Sequence, residues 1–565
     1  MKRPARWLPL VLLVALAGVA ALLVTGRGEI PGAPEPVAPR RALLLFYTLC
    51  SLLRLTGAYV ASFLFAVLVG GLAARTRSRL MLQALDVLQS VPVLGFFPAA
   101  VIFFVQLFPG RFGMESAAMF LIFTSMVWNM TFSVYETLSA LPVDQREAMT
   151  AFGVRGRLRL ERFYLPACIP RLVYNSILSW TNGWYFLIAC EIIALGRETR
   201  VLPGLGSYLA LAQHGGSMLD MGLAIAVLVG VIMAMNRWVW APLEVWAERY
   251  KQEFAGARAT LAGTAVSVGE EAHHPVAQRG RVAQALFGGL LHLVALVMGP
   301  FLTLRERFRG PRARRLVERM PAYLTMLVGV GVALALFRSL AGFTVSFPEE
   351  LGRVPAAAGA SFLRIAAGYL VAAAWTIPAA VWVARKPRAH RVLVPLFQVL
   401  AAIPATAFFP VIVHFTVDRF GGMNLASVLL LLTGMQWYLF FNVLGGIAAI
   451  PADVLETAQA FGVRGGLFWK RILIPSIAPS FVTGSIAACG GGWNALVLSE
   501  YVRYRGTTYS TTGIGALLNQ ATYDQPNVVL LFAALLGMLG AIMLVNRFVW
   551  RPLYLLTTSR FKLDY

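Results

Sequence analysis

The chain has 565 residues, 58% of them hydrophobic and 13% charged, with a formal net charge of +23. So apolar a composition excludes a soluble globular protein, and the basic residues gather in alternate loops, which argues against nucleic acid as a partner. Cys50, Cys168, Cys190 and Cys489 lie in or beside apolar runs without disulfide or metal-ligand spacing and read as small buried thiols.

A helix needs ~18 or more apolar residues to cross a bilayer. In chain order such runs fall at 7–25, 44–73, 87–108, 116–138, 172–195 and 222–241, then at 321–341, 359–384, 393–416, 425–449, 480–499 and 527–550. None alternates with period two, so the expectation is an all-α polytopic membrane protein of about 12 spans rather than a barrel. Residues 7–25 follow a basic start, as a signal peptide would, but 321–341 is their counterpart in the second half and cannot be cleaved away. A retained first helix is the favoured reading.

One set of loops carries Arg75, Arg77 and Arg79, then Arg146, Arg155, Arg157, Arg159 and Arg162, then Arg385, Lys386, Arg388 and Arg391. The intervening loops are poorer in Lys and Arg and carry Glu29, Glu35, Glu115, Glu349 and Glu350. This asymmetry places both termini, including Lys2, Arg3 and Arg6, on the cytoplasmic side of a membrane whose lipids the chain contacts.

The chain is internally duplicated. Residues 146–156 return 309 positions later as 455–465, Leu94 to Pro98 correspond to the segment ending Phe408-Phe409-Pro410, and Trp184 and Glu191 match Trp493 and Glu500. Asn236-Arg237-Trp238-Val239-Trp240 returns as Asn546-Arg547-Phe548-Val549-Trp550. Each unit has an even number of spans, so the repeats are parallel, related by an axis along the membrane normal. The organisation expected is a helix and outer loop at 1–43, a first unit at 44–241, a linker at 242–320, a helix and loop at 321–358, a second unit at 359–550 and a tail at 551–565. Within the linker, 284–303 is apolar. A crossing there would put Arg305, Arg307, Arg309, Arg312, Arg314 and Arg315 outside, so a hairpin or interfacial helix beside the anionic leaflet fits better.

Each copy of the repeated polar segment opens with a helix start signal. Pro142 and Pro451 precede Asp144 and Asp453, and Glu147 and Glu456 follow three residues later, as in a capping box. Gly153 and Gly462 would end a short helix before a second one runs to Pro166 and Pro475. Such a helix–turn–helix is a compact knob able to seat in a partner's cleft.

These residues resemble the EAA motif of permease subunits in binding-protein-dependent ABC importers: Glu-Ala-Ala, three residues, Gly, nine residues, Ile-x-Leu-Pro. The first copy has Glu147-Ala148-Met149, Gly153 and Phe163-Tyr164-Leu165-Pro166; the second has Glu456-Thr457-Ala458, Gly462 and Ile472-Leu473-Ile474-Pro475. The resemblance implies two six-helix permease domains of the type I fold fused in one chain. It also implies coupling segments at 144–156 and 453–465, in which Glu147, Ala148, Gly153, Val154, Arg155, Glu456, Ala458, Gly462, Val463 and Arg464 meet two copies of an ATP-binding subunit. A periplasmic or lipid-anchored solute-binding protein would deliver the cargo. The five lysines, Lys2, Lys251, Lys386, Lys470 and Lys562, never follow a glycine, so the chain has no P-loop of its own. ATP and Mg would reside on the partner subunits, and no catalytic, metal or cofactor site is expected here.

Trp184 and Glu191 are seven apart on one helix, as are Trp493 and Glu500. Two readings of the glutamates stand: acidic groups of a translocation pathway, or carboxylates hydrogen-bonded at the junction of the halves or hydrated. Gly183 to Glu191 and Gly492 to Glu500, with the trailing Gly204-Leu205-Gly206 and Gly513-Ile514-Gly515, resemble the fifth-helix signature of importers for nitrate, sulfonates and taurine. Gln89 and Asn129 are further pathway candidates, and no basic residue is expected mid-membrane. A secondary transporter or channel of two six-helix repeats would want buried ionisable relays, and a membrane enzyme would want clustered His, Asp or Glu; neither explains the twin knobs.

Overall fold

The structure, a computed structural model, describes residues 40–250, 281–307 and 349–560, apart from scattered positions chiefly within 77–96 and 404–421. The expected spans 7–25 and 321–341, most of the linker and the basic run from Arg309 to Arg315 lie outside the described residues. Seven of the described helices are long and apolar enough to cross a membrane, and the protein is an all-α polytopic membrane protein built from two repeats.

The first half begins with α1 (Leu44–Phe65), which runs on through a π-helical turn at Ala66–Gly70 to Thr76. It is followed by α2 (Phe97–Leu107), α3 (Arg111–Ser139), the short α4 (Val143–Ala151) and α5 (Leu165–Glu191). Strands β1 (Ile192–Leu195) and β2 (Glu198–Val201) then form an antiparallel hairpin, and α6 (Leu205–His214) and α7 (Met218–Met235) complete the unit. The linker contributes α8 (Arg281–Arg307). The second half repeats the plan with α9 (Val354–Arg385), α10 (Pro387–Ala402), α11 (Gly422–Ala448), α12 (Ala452–Ala460), α13 (Ile474–Ser499), hairpin β3 (Tyr501–Tyr504) and β4 (Thr507–Ser510), α14 (Ile514–Asn519) and α15 (Val528–Val545). A closing helix, α16, spans Arg551–Arg560.

Two expected spans are shortened. The run 87–108 breaks at a turn in which Gly95 N–H donates to Pro92 O at 3.0 Å, leaving the 11-residue α2, too short to cross as an α-helix. The run 393–416 is likewise interrupted after Ala402, where Ile403 turns extended, and helical residues are met again at Ile412 and Thr416. Hydropathy counted both runs as continuous because proline is only mildly polar, whereas its missing N–H and fixed φ act on the backbone. The hairpins after Glu191 and Glu500 carry no period-two signal long enough to have been expected, being only four residues a strand.

The repeated Asn-Arg-aromatic-Val-Trp segment folds as a π-helical turn in both halves, Asn236–Trp240 and Asn546–Trp550. In the first half the bulge carries Trp240 inward onto Tyr59 and Trp180, and in the second it carries Trp550 onto Tyr369. Such single-turn bulges insert one residue and re-aim the side chains that follow. The repeat therefore preserves a packing device.

Helix α8 lies against the first half. Phe287 stacks edge-on to Phe63 at 5.2 Å and meets Trp246 at 6.0 Å, while Val294 and Ala295 are fully buried. Its opposite face exposes Leu286 and Leu296. The helix packs along α1 and the turn at Gly156–Arg159, so the linker's apolar stretch is docked on the helices of the first half.

Candidate functional site

The twin polar segments fold alike to the level of single hydrogen bonds. At the end of α4, Val154 N–H donates to Met149 O at 2.9 Å and Gly153 N–H to Thr150 O at 3.1 Å; at the end of α12, Val463 N–H donates to Ala458 O at 2.8 Å and Gly462 N–H to Gln459 O at 3.0 Å. This pairing is a Schellman stop, which satisfies the last carbonyls of the helix and requires a left-handed residue just past it. Gly153 at φ 69° and Gly462 at φ 64° supply it, and Gly156 (φ 54°) and Gly465 (φ 58°) repeat the conformation where the chain turns into the next helix. Side chains rarely adopt this region, so two left-handed glycines per copy fix the shape of the knob.

The start of the first knob differs from the sequence expectation. Helix α4 begins at Val143, with Pro142 extended (φ −56°, ψ 141°) as its cap and no side-chain capping bond, so Asp144 sits inside the first turn and no capping box forms. In the second copy Asp453 is likewise inside α12. Proline before the first turn presets the extended entry that a capping Asp would otherwise hold. Glu147 and Glu456 are exposed, Ala148 is half-buried, and Ala458 is buried. Val154 and Val463 are half-buried under the turn, Arg464 is exposed, and Arg155 lies outside the described residues.

Sequence reasoning passed over the most exposed apolar groups of the knobs. Phe152 is 81% and Phe461 80% exposed, each just after its helix and before its left-handed glycine. The matching position in the repeat was the available signal. Beneath the first knob, the Arg146 guanidinium donates to Leu138 O and Arg159 Nη2 to Arg146 O at 3.1 Å, tying the knob to the end of α3. On the second, Val454, Thr457, Ala458, Phe461, Val463 and Ile472 line an open apolar groove.

A second pair of sites surrounds the signature glutamates. Glu191 is fully buried: Oε1 accepts from Ser51 Oγ at 2.5 Å and Arg54 Nη1 at 2.7 Å, and Oε2 accepts from the N–H groups of Gly206 and Ser207 at 2.7 and 3.1 Å. Its carboxylate thus closes the N-terminus of α6, where unpaired N–H groups and the helix dipole favour an anion. Glu500 repeats this, accepting from Ser361 Oγ at 2.7 Å, Arg364 Nη1 at 2.5 Å and Gly515 N–H at 2.8 Å. Both glutamates therefore sit at a junction of helices within their own half. Trp184 and Trp493 are buried seven residues earlier on the same helices. Gln89 is exposed ahead of the break at Pro92, and Asn129 is half-buried on α3.

Arg54 is a buried basic residue within a span that the sequence reading did not single out, and Glu115 is no loop charge. Arg54 lies within α1, 3% exposed, and holds Glu115 through Nε at 2.5 Å and Nη2 at 2.9 Å besides Glu191 and the Pro203 carbonyl at 2.8 Å. The sequence signal was a lone Arg in a 30-residue apolar run, matched 310 positions later by Arg364. A basic residue in such a run is tolerated when it is paired and fully hydrogen-bonded. The halves differ in the acidic partner, since Asn424 occupies the position of Glu115 and accepts from Arg364 Nη2 at 2.8 Å, while Arg364 also donates to Thr511 Oγ1 at 2.9 Å.

The glycines beside the clasps have no room for a side chain. A Cβ added at Gly204 or at Gly513 would collide with the carboxylate of Glu191 or Glu500. Gly204→Ala and Gly513→Ala are each expected to cost about 1–3 kcal/mol by overpacking, read as a lowered thermal midpoint of the purified chain. Gly222→Ala, with nothing within 4 Å of the added carbon, is the matched control and should leave the midpoint unchanged.

Duplicated helical halves with a matched knob on each are the build of a membrane transport permease. The chain belongs to the family of binding-protein-dependent transport system inner membrane components, whose pattern it matches twice, over residues 62–241 and 376–549. Two permease domains are thus fused in one polypeptide. Among its relatives, a nitrate import permease of Leptolyngbya laminosa is 25% identical over 184 residues, covering 32% of this chain and 62% of the relative. A bicarbonate transport system permease of Synechocystis is 28% identical over 143 residues, 25% and 50% of the two chains. A taurine transport system permease of Escherichia coli is 24% identical over 163 residues, 29% and 55%. The chain spans less than two thirds of the length of each of these relatives.

Proposed function

We propose that this chain is the entire membrane pathway of an ATP-driven importer, with its two halves taking the place of two separate permease subunits. The knobs at α4 and α12 are coupling helices that face the cytoplasm and dock one ATP-binding subunit each. A solute-binding protein, periplasmic or lipid-anchored, presents the cargo at the opposite face. The protein resides in a bacterial inner membrane with both termini cytoplasmic, and its cargo is a small solute of the kind the relatives' names describe.

The observation that carries this reading is the matched pair of Schellman-stopped knobs with Phe152 and Phe461 exposed at equal positions. Glycines held at positive φ fix a shape, and an exposed aromatic on a fixed shape is the anchor type that dominates protein interfaces. ATP binding closes the two ATPase subunits and draws the knobs together. The movement passes through Arg146 and Arg159 into α3, through Tyr164 into α5, and opens the junction between the halves outward. Hydrolysis on the partner subunits, where ATP and Mg are held, resets it.

The test is co-expression of the tagged chain with the ATP-binding and solute-binding proteins of its own genome. Two ATPase chains per permease chain, and ATP-dependent uptake in proteoliposomes, are expected. Recovery of the chain alone, or uptake driven by an ion gradient without ATP, sinks the reading.

A further inference from the structure

The two halves also touch where side chains of α5 and α11 meet. There Tyr438 O–H donates to Asn182 Oδ1 at 2.9 Å, bridging residues 256 positions apart. One turn away the Tyr185 hydroxyl, buried, finds no hydrogen-bond partner among the described residues, and it points at Gly434, where an added Cβ would come within 2.9 Å of it. Asn182 lies nine residues before the end of α5 and Tyr438 ten before the end of α11, which at 1.5 Å per residue is about 14 and 15 Å from the C-terminal ends of those helices. The cluster therefore sits deep in the apolar layer, where an unpaired hydroxyl is costly and polar groups at a repeat junction mark a solute's route.

The duplication supplies an internal control. At an offset of 309, Asn182, Tyr185, Ser125 and Asn129 correspond to Gly491, Asn494, Gly434 and Tyr438. The pseudo-equivalent seam between α3 and α13 therefore has no phenol. Its one amide on α13, Asn494, is already engaged, with Oδ1 accepting from Val93 N–H at 2.7 Å and Nδ2 donating to Gly490 O at 3.1 Å. Two identical subunits would have to carry the same groups on both faces, and the fused chain does not.

Resting on the importer reading, we propose that the cargo is a small oxyanion recognised off the axis, on the α5–α11 face alone. Tyr185 O–H and Asn182 Nδ2–H donate to it. Tyr438 is a positioning residue, because its bond to Asn182 Oδ1 turns the amide so that Nδ2 points away from that carbonyl. Neutral donors suit a transport site because they bind an anion without a fixed counter-charge that would trap it, so the solute can leave again. A phenol needed only for packing predicts no functional change, or slightly better folding, when its unpaired oxygen is removed.

The experiment uses the full chain with its ATPase subunits and binding protein in proteoliposomes, with nitrate, bicarbonate, taurine and methanesulfonate as probes. At least one of these is expected to enter. Tyr185→Phe should lower its uptake at sub-saturating concentration about tenfold, as loss of one bond to a charged group predicts, and Gly434→Ala, which displaces the phenol, should do the same. Ser125→Ala should stay within twofold. ATPase association should be unchanged in all three variants. Wild-type uptake by Tyr185→Phe and Gly434→Ala, or an equal loss in Ser125→Ala, overturns the one-sided site. An associated, ATP-hydrolysing complex that passes none of the probes overturns the oxyanion class. A wild-type chain that fails to hold ATPase subunits overturns the importer reading, and this site with it.

Discussion

Arg54→Met should destabilise the protein by about 3–5 kcal/mol, the usual result of breaking a buried ion pair by removing one partner, while Arg364→Met should cost clearly less. The sequence difference responsible is a single position. Removing the Arg54 guanidinium strands two carboxylates, Glu115 and Glu191, that are 1% and 0% exposed and share no other cation among their described partners. Removing Arg364 strands only Glu500, which keeps Ser361 and the Gly515 N–H, beside the neutral amide of Asn424. Thermal unfolding in detergent with a buried-thiol probe at Cys190 reads both. The double variant Arg54→Met, Glu115→Asn, which removes one of the two stranded carboxylates along with the guanidinium, should recover much of the loss. Equal losses in the two single variants would show that Glu115 contributes nothing to the difference, and the account of the clasps would fall.

These clasps also show what the sequence made legible and what it did not. The duplication was plain because both copies keep residue types at fixed offsets, and the parallel repeat followed from counting spans. The glycine stops were readable because only a left-handed residue past a helix end explains Gly153 and Gly462. The ion clasp was not readable, because pairing Arg54 with Glu115 and Glu191 needs three helices to converge, and hydropathy averages a lone Arg away. Glu115 looked like a loop charge for the same reason: α3 starts at Arg111, a turn earlier than the apolar run. The breaks at Pro92 and after Ala402 escaped because a window scores composition rather than backbone hydrogen bonding. In each case local chemistry was visible in the sequence, while the partner arriving from another helix was not.

Gly153→Pro and Gly462→Pro are expected to abolish coupling while leaving the membrane fold intact. Proline holds φ near −65°, whereas these positions stand at 69° and 64°, and it removes the N–H groups that bond Thr150 and Gln459. The stop of each knob is therefore lost from both conformation and hydrogen bonding. Nothing lies within 4 Å of a Cβ built at either glycine, so the strain stays in the exposed turn and does not spread into the helices. The purified chain should keep its thermal midpoint, yet the doubly substituted chain should retain no ATPase subunits and transport nothing. Each single variant should lose one ATPase copy, and one unpaired ATPase subunit cannot close on a partner, so uptake should fall as far as in the double variant. Phe152→Ala with Phe461→Ala separates shape from anchor, since it leaves the glycine turn in place and removes only exposed aromatic surface. If the rings are interface anchors worth about 2 kcal/mol each, ATPase affinity should drop roughly 30-fold per site with no change in stability. Full ATPase retention by the proline variants would mean that the subunits grip another part of the chain, and that the knobs serve some other partner.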